Sequence, residues 1–167
     1  MSYFIIIRGP LGSGKTTISK QLSKILGAEH ISIDKILDEN KLDKSDPEVG
    51  GIPVDNFIKA NEIILPTVKE KLSKDQVVIF DACFYYKEPI EHLIKNLPYP
   101  HYEFTLKLPV EECIKRDSIR NLVYGEGAAR AVHSMVSRFD YGEIIDVSGD
   151  LDSGIKQILS FLPKQYV

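Results

Sequence analysis

Apolar positions along the chain alternate between short continuous runs and longer stretches with helical spacing. Tyr3-Phe4-Ile5-Ile6-Ile7 is an uninterrupted apolar run, the pattern of a strand buried on both faces. After Lys15, apolar residues Ile18, Leu22, Ile25 and Leu26 recur at helical spacing, and Gly27 supplies a helix stop. His30-Ile31-Ser32-Ile33 predicts a short strand ending at Asp34, with a short helix over 34–39. Residues 40–55, with Asp43, Asp46, Pro47, Gly50, Gly51 and Pro53, read as an irregular loop, and long loops in compact domains are often functional. From Val54 the set Phe57, Ile58, Ala60, Ile64, Leu65, Val68 and Leu72 keeps a helical period, which Pro66 should kink or split.

The second half repeats the alternation. Val77-Val78-Ile79-Phe80-Asp81 predicts another buried strand, and 88–96 a modest helix with Pro89 in its first turn. A strand is expected over 102–108, then a helix opened by Pro109 and carrying Val110, Cys113, Ile114 and Ile119. Glycines at 125 and 127 interrupt the pattern before it resumes over 128–139. A last strand over 143–147 leads through Ser148-Gly149-Asp150 into an amphipathic helix with Ile155, Ile158, Leu159 and Leu162 on one face. Strands alternating with helices predict an α/β domain in three layers, helices on both faces of a five-stranded, mainly parallel sheet. Ligands in such folds bind at the carboxyl ends of the strands.

Chemistry enters directly after the first strand. Gly9-Pro10-Leu11-Gly12-Ser13-Gly14-Lys15-Thr16-Thr17 fits G-x-x-x-x-G-K-[ST] without substitution, between a predicted strand and a predicted helix. Gly9, Gly12 and Gly14 let the backbone turn its N–H groups, including those from Ser13 to Thr17, toward an anion. Lys15 is placed to reach the β- and γ-phosphates of a nucleoside triphosphate, and the Thr16 hydroxyl to ligate Mg²⁺. The following helix points the positive end of its dipole at the same phosphates. The motif predicts a P-loop NTPase fold and the binding of ATP with Mg²⁺.

Three carboxylates and three arginines add candidate roles. Asp34 and Asp81 are expected to project over the same sheet edge as the phosphate loop. A carboxylate there can accept a proton from a substrate hydroxyl or hold Mg²⁺ through water. The plain alternative for each is a helix cap or turn residue; Asp146 reads as structural. Arg116 and Arg120 stand at an i, i+4 spacing, and Arg130 lies across the glycine-bearing stretch. They can close as a lid (about 116–130) over a transferring phosphoryl group, or pair with Glu111, Glu112 and Asp117 on a solvated face. Phe84, Tyr85 and Tyr86 either line an acceptor pocket or pack. His30, His92, His101 and His133 show no metal or triad spacing.

Composition narrows the field. In 167 residues, 43% hydrophobic and 27% charged, one domain spanning 1–167 is the simplest reading. A net charge of −3 gives no global basic field for long nucleic acids. Cys83 and Cys113 match no metal or redox spacing and read as buried thiols in a reducing compartment. No stretch approaches a membrane span, and the apolar N-terminal run is too short for a signal segment, so a cytoplasmic protein is expected.

These residues resemble the small P-loop kinases of the nucleoside-kinase-like group, which includes shikimate and gluconate kinases, chloramphenicol phosphotransferase and the kinase domain of polynucleotide kinase. The resemblance spans nearly the whole chain. It implies that Asp34, in Ser32-Ile33-Asp34, binds the acceptor hydroxyl and acts as base, and that Val77–Asp81 is the second acid-ended strand. The polynucleotide kinase pattern C-x-x-R-N-x-x-R is matched from Cys113 through Arg116 to Arg120, with Asp117 replacing Asn. The stretch from Gly127 and Arg130 through Asp140, Tyr141 and Asp146 looks like the chloramphenicol phosphotransferase region after its lid. By the same likeness the turn at Gly149 meets the adenine. The shikimate kinase triple glycine is absent, replaced by Ala82-Cys83-Phe84, and the acidic pair often found at Asp34 is Asp34-Lys35 here.

The implied activity is ATP-dependent transfer of a phosphoryl group to a hydroxyl of a small molecule. Lys15, Asp34, Arg116 and Arg120 are the implied catalytic residues. Thr16 and Asp81 serve the metal, and the acceptor region covers about 34–65. Two alternatives stay open: a kinase for the 5′-hydroxyl of a nucleic acid, which the acidic 38–48 stretch disfavours, and a nucleotide-binding regulatory module without transfer. Neither the acceptor nor the oligomeric state is legible, and the absence of N-K-x-D and D-x-x-G disfavours a GTPase.

Overall fold

The strand β1 (Phe4–Arg8) runs through the centre of a five-stranded sheet, and all five of its side chains are buried. In the computed structural model, residues 1–119 and 124–164 are described. Around β1 lie β2 (Glu29–Ser32), β3 (Val78–Ala82), β4 (His101–Lys107) and β5 (Glu143–Asp146) in the order β2-β3-β1-β4-β5, every pairing parallel. Among the described residues seven helices accompany them: α1 (Lys15–Leu26), α2 (Ile33–Glu39), α3 (Val54–Ser73), α4 (Glu88–Asn96), α5 (Val110–Ser118), α6 (Glu126–Val136) and α7 (Leu151–Phe161).

The period of two along β1 divides the core. Phe4 and Ile6 join a cluster with residues of α2, α3, α4 and α6, whereas Ile5 and Ile7 join one with Ile18 and Leu22 of α1 and Ile155 and Ile158 of α7. A continuous apolar run is required because helices cover both faces. No helix among the described residues is long and apolar enough to cross a membrane.

Three local expectations are corrected. β2 stops at Ser32, not Asp34, because the Ser32 hydroxyl accepts from Lys35 N–H and caps α2. Asp34 therefore sits in the first turn of that helix, and its carboxylate is left for other work. β3 runs one residue past Asp81, through Ala82, in register with Arg8 of β1. Pro66 lies inside α3 without splitting it, and α3 continues unbroken from Val54 to Ser73. The fourth helix matches its expected span over Glu88–Asn96.

Arg8 is the one fully buried arginine among the described residues, and its motif-adjacent position gave no hint of its role. Its guanidinium donates to the carbonyls of Phe84 (3.2 Å), Phe139 (3.0 Å) and Val136 (2.7 Å) and to the Thr105 hydroxyl (3.1 Å). It also lies 4.1 Å from the centre of the Phe139 ring. Burial lowers its pKa to about 10, still far enough above neutral pH to keep the cation. Arg8 thus fastens the end of α6 to the sheet edge where the phosphate loop begins. Replacing it with Met should leave several buried carbonyls unpaired and cost roughly 3 kcal/mol of stability or more. Urea unfolding measures this, and a loss below about 1 kcal/mol would show the network to be dispensable.

Candidate active site

The site grows out of the turn from β1 into α1. Gly12 and Gly14 have φ angles of 77° and 85°, in the left-handed region where a side chain is strained. A Cβ on Gly12 would stand 2.2 Å from the Cys113 carbonyl oxygen, so only glycine lets the loop pass under α5. Gly9 N–H reaches the Ala82 carbonyl at 3.4 Å, and a Cβ there would lie 2.6 Å from the Ser13 hydroxyl. Gly14 is the N-cap of α1, and no side chain caps that helix end. Its first N–H groups therefore have no side-chain acceptor in front of them, the arrangement that suits a phosphate.

Lys15, only 6% exposed, lies 3.6 Å from the Asp34 carboxylate. Burial pushes the Lys15 ammonium down, but the charges of the neighbouring Asp34 and Asp81 carboxylates outweigh it and hold the pKa above its ordinary value. Thr16 donates its hydroxyl to Asp81 at 3.2 Å. Asp81 is fully buried, and its other oxygen is in contact with His30 Nε2. Asp34 accepts from the Cys83 N–H (3.3 Å) and the Cys83 thiol (3.5 Å), so both of its oxygens are held. Burial pushes the Cys83 thiol up to about 12, which keeps it a neutral donor.

A cavity of about 340 Å³ opens over the loop, lined by Gly12, Gly14, Lys15, Thr16, Thr17 and Arg116, with Ile119 and Leu151 at its side. Arg116 donates to the carbonyls of Ser13 (3.4 Å), Val147 (2.7 Å) and Gly149 (3.3 Å). One side chain thus ties the phosphate loop to the β5–α7 turn. A second cavity of about 350 Å³ lies beyond Asp34, between α2, the 40–55 loop and α6. Asp34 lines the second cavity and pairs with Lys15, which lines the first.

The structure brings together Gly9, Gly12, Ser13, Gly14, Lys15, Thr16, Thr17, Asp34, Asp81, Arg116 and Gly149. It does not bring in Arg130, which is exposed and pairs with Glu126 (2.9 Å) and Glu111 (3.0 Å). It lines neither of these two cavities, so its surroundings are the solvated face. Arg120 lies outside the described residues, and the expected 116–130 lid is described only in part. Asp146 holds the turn by accepting from the N–H and hydroxyl of Ser148, a structural task as expected. His30 was missed: its only signal is a polar residue within a strand that neighbours an acid-bearing one.

A Mg²⁺ ion fits the donor set. Among the described residues no group of three His, Cys, Asp or Glu side chains could hold a metal unaided. Mg²⁺ keeps waters and phosphate oxygens and asks the protein for one or two oxygens, which Thr16 and Asp81 present side by side.

A five-stranded parallel sheet in this order, with a glycine loop over its central strand, defines a P-loop NTPase fold with a nucleotide-binding loop. The chain belongs to the AAA domain family, whose match covers residues 4–141. It is 33% identical over 116 residues to a shikimate kinase from Clostridium botulinum (strain Okra / Type B1), covering 70% of this chain and 65% of that one. The chain thus spans just under two thirds of the length of that curated relative. Solved structures share the fold, two kinases among them. A sugar kinase from Janibacter sp. HTCC2649 superposes with a TM-score of 0.73 at 17% identity, covering 96% of this chain and 94% of that one. A gluconokinase from Sinorhizobium meliloti 1021 gives 0.66 at 14%, covering 93% and 89%.

Arg116 yields a direct test of the loop's support. Arg116→Met removes three bonds from a charged donor and should weaken nucleotide binding about tenfold or more. Titration with a fluorescent ATP analogue checks this, with the melting temperature as the control for unfolding. Unchanged affinity would mean that the loop holds its shape without the tie.

Proposed function

We propose that this protein is an ATP-dependent kinase that transfers the γ-phosphoryl group to a hydroxyl of a small molecule. The observation that carries the reading is Asp34: it pairs with the phosphate-loop lysine at 3.6 Å and lines a separate cavity large enough for a small molecule. Donor and acceptor pockets meeting at one carboxylate is the arrangement that phosphoryl transfer needs. Similarity to shikimate kinases and the shared fold of two sugar-acid and sugar kinases support it.

In this reading Asp34 accepts the proton of the acceptor hydroxyl as its oxygen bonds to the γ-phosphorus and the bond to the ADP oxygen breaks. Cys83 holds Asp34 in place through its N–H and thiol, so the carboxylate faces the acceptor without reorganising. Lys15 and Arg116 offset the charge that gathers on the phosphoryl oxygens. Mg²⁺, when bound beside Thr16 and Asp81, would neutralise charge on the β- and γ-phosphates. His30 fixes the orientation of Asp81, and the Gly149 turn would meet the adenine. A lid from the 116–130 stretch and a cytoplasmic setting belong to the same reading.

The test is a screen of a metabolite pool for products whose phosphate derives from ATP, run with the native chain and with Lys15→Ala. Phosphorylated products should form with the native chain and fall by at least about a hundredfold in the variant, since a buried charged group facing the phosphates is lost. Nucleotide binding with no product across alcohols, sugars and nucleosides would favour a regulatory module instead. Products on short oligonucleotides alone, weakened by salt, would favour a nucleic-acid 5′-hydroxyl kinase.

A further inference from the structure

The cavity beyond Asp34 has a definite electrostatic character. Asp34 stands at its inner end, and Asp38 and Asp43 line it further out as exposed carboxylates. Neither Asp38 nor Asp43 has a side-chain hydrogen bond or ion pair among the described residues. No Lys, Arg or His among the described residues lines this cavity. Lys15, which does not line this cavity, is paired with Asp34 at 3.6 Å. A ligand entering here meets unpaired carboxylates, Asp38 and Asp43, at the outer end, and a carboxylate already paired with Lys15 at the inner end.

A separate observation suits the cavity to a ligand with polar as well as apolar parts. Tyr85 is only 5% exposed and lines the cavity, and its phenol oxygen accepts from the Ile52 N–H at 2.8 Å. Its own O–H has no acceptor among the described residues. A buried hydroxyl with an unspent donor costs free energy unless something supplies an oxygen. Tyr86 donates to the Ile52 carbonyl at 2.9 Å, so the two phenols hold the N–H and C=O of one residue, Ile52, in the cavity wall. Gly51 lets this wall approach α6: a Cβ there would lie 2.9 Å from the Met135 sulfur and 3.3 Å from the Tyr85 oxygen. Leu37, Phe57, Val132 and Met135 supply apolar surface, with Ser45 and Tyr124 also in the lining.

We propose, resting on the kinase reading above, that the acceptor is a cationic alcohol. Its reacting hydroxyl and a protonated amine are joined by an apolar or aromatic skeleton. The hydroxyl lies at Asp34, the skeleton packs on Phe57 and Met135, and the amine faces Asp38 and Asp43. Tyr85 donates to an oxygen of the ligand. The cavity thereby disfavours carboxylate acceptors, unlike the acids named for shikimate kinase and gluconokinase.

Three probes share one skeleton and differ in charge: meta-(hydroxymethyl)benzylamine, meta-(hydroxymethyl)benzamide and meta-(hydroxymethyl)benzoate. Binding to the full chain loaded with Mg²⁺ and a non-hydrolysable ATP analogue is measured by calorimetry, and phosphorylation with ATP by mass spectrometry. Affinity should fall from amine to amide to benzoate, with about fivefold to twentyfold between the ends of the series, as one or two close carboxylates imply. Asp38→Asn with Asp43→Asn should shrink the amine-to-benzoate ratio by about fivefold, and added salt should shrink it in the native chain. Benzoate binding as tightly as the amine, a ratio untouched by the double variant, or no binding of any probe would each overturn the proposal. The predicted preference in binding without phosphorylation of any probe would uphold the charge selectivity and count against the kinase reading.

Discussion

An ammonium group removed from water is costly unless carboxylates stand near it, by several kcal/mol for an unpaired ion. Lys15 is such a group, buried at the head of α1, and much of the site follows from keeping it charged. Asp34 lies 3.6 Å away on α2, and Asp81 raises its pKa further from β3. Three chain segments, the turns after β1 and β2 and the end of β3, must therefore converge on one point. The parallel pairing of β2 with β3 and β3 with β1 provides that convergence, with Ser32 and Ile7 both in register with Asp81. A loop that attracts phosphates is thus also the loop that holds two carboxylates at the sheet edge.

The second constraint is rigidity around this charge cluster. Cys83 fastens Asp34 through two donors, His30 and Thr16 fasten Asp81 from opposite sides, and Arg116 fastens the loop to the turn before α7. Arg8 does the same for the far end of α6, whose other residues wall the second cavity. Each of these side chains works mainly on backbone carbonyls or carboxylates. In the proposed kinase reading, the groups assigned to the reaction are then fixed before any ligand arrives, which is where most of the rate in phosphoryl transfer is gained.

Much of this was legible in the chain because it is local. The phosphate loop is a contiguous pattern, and strand-to-helix alternation follows from runs of apolar residues at periods of two and near four. The element boundaries that slipped did so for reasons of side-chain chemistry. Ser32 took the capping role that an acidic residue two positions later could also have filled, and β3 continued past Asp81 because Arg8 supplied a partner for Ala82. Arg8 and His30 were illegible for a different reason. Their partners lie 51 to 131 residues away, and no spacing along the chain encodes such contacts. Arg130 shows the converse: an arginine beside a glycine-bearing stretch suggested phosphate, yet two glutamates one helical turn or one helix away claim it.

The central claim is that Asp34 joins the donor half of the site to the acceptor half. Rapid-quench, single-turnover kinetics on Asp34→Asn, with an acceptor found for the native chain, tests it most directly. The substitution keeps the shape and most of the hydrogen bonding but cannot take up a proton. The account predicts ATP affinity within about threefold of the native value. It predicts a transfer step slower by roughly a hundredfold to ten-thousandfold, the range typical of a lost general base. Transfer at the native rate with Asp34→Asn would contradict the account.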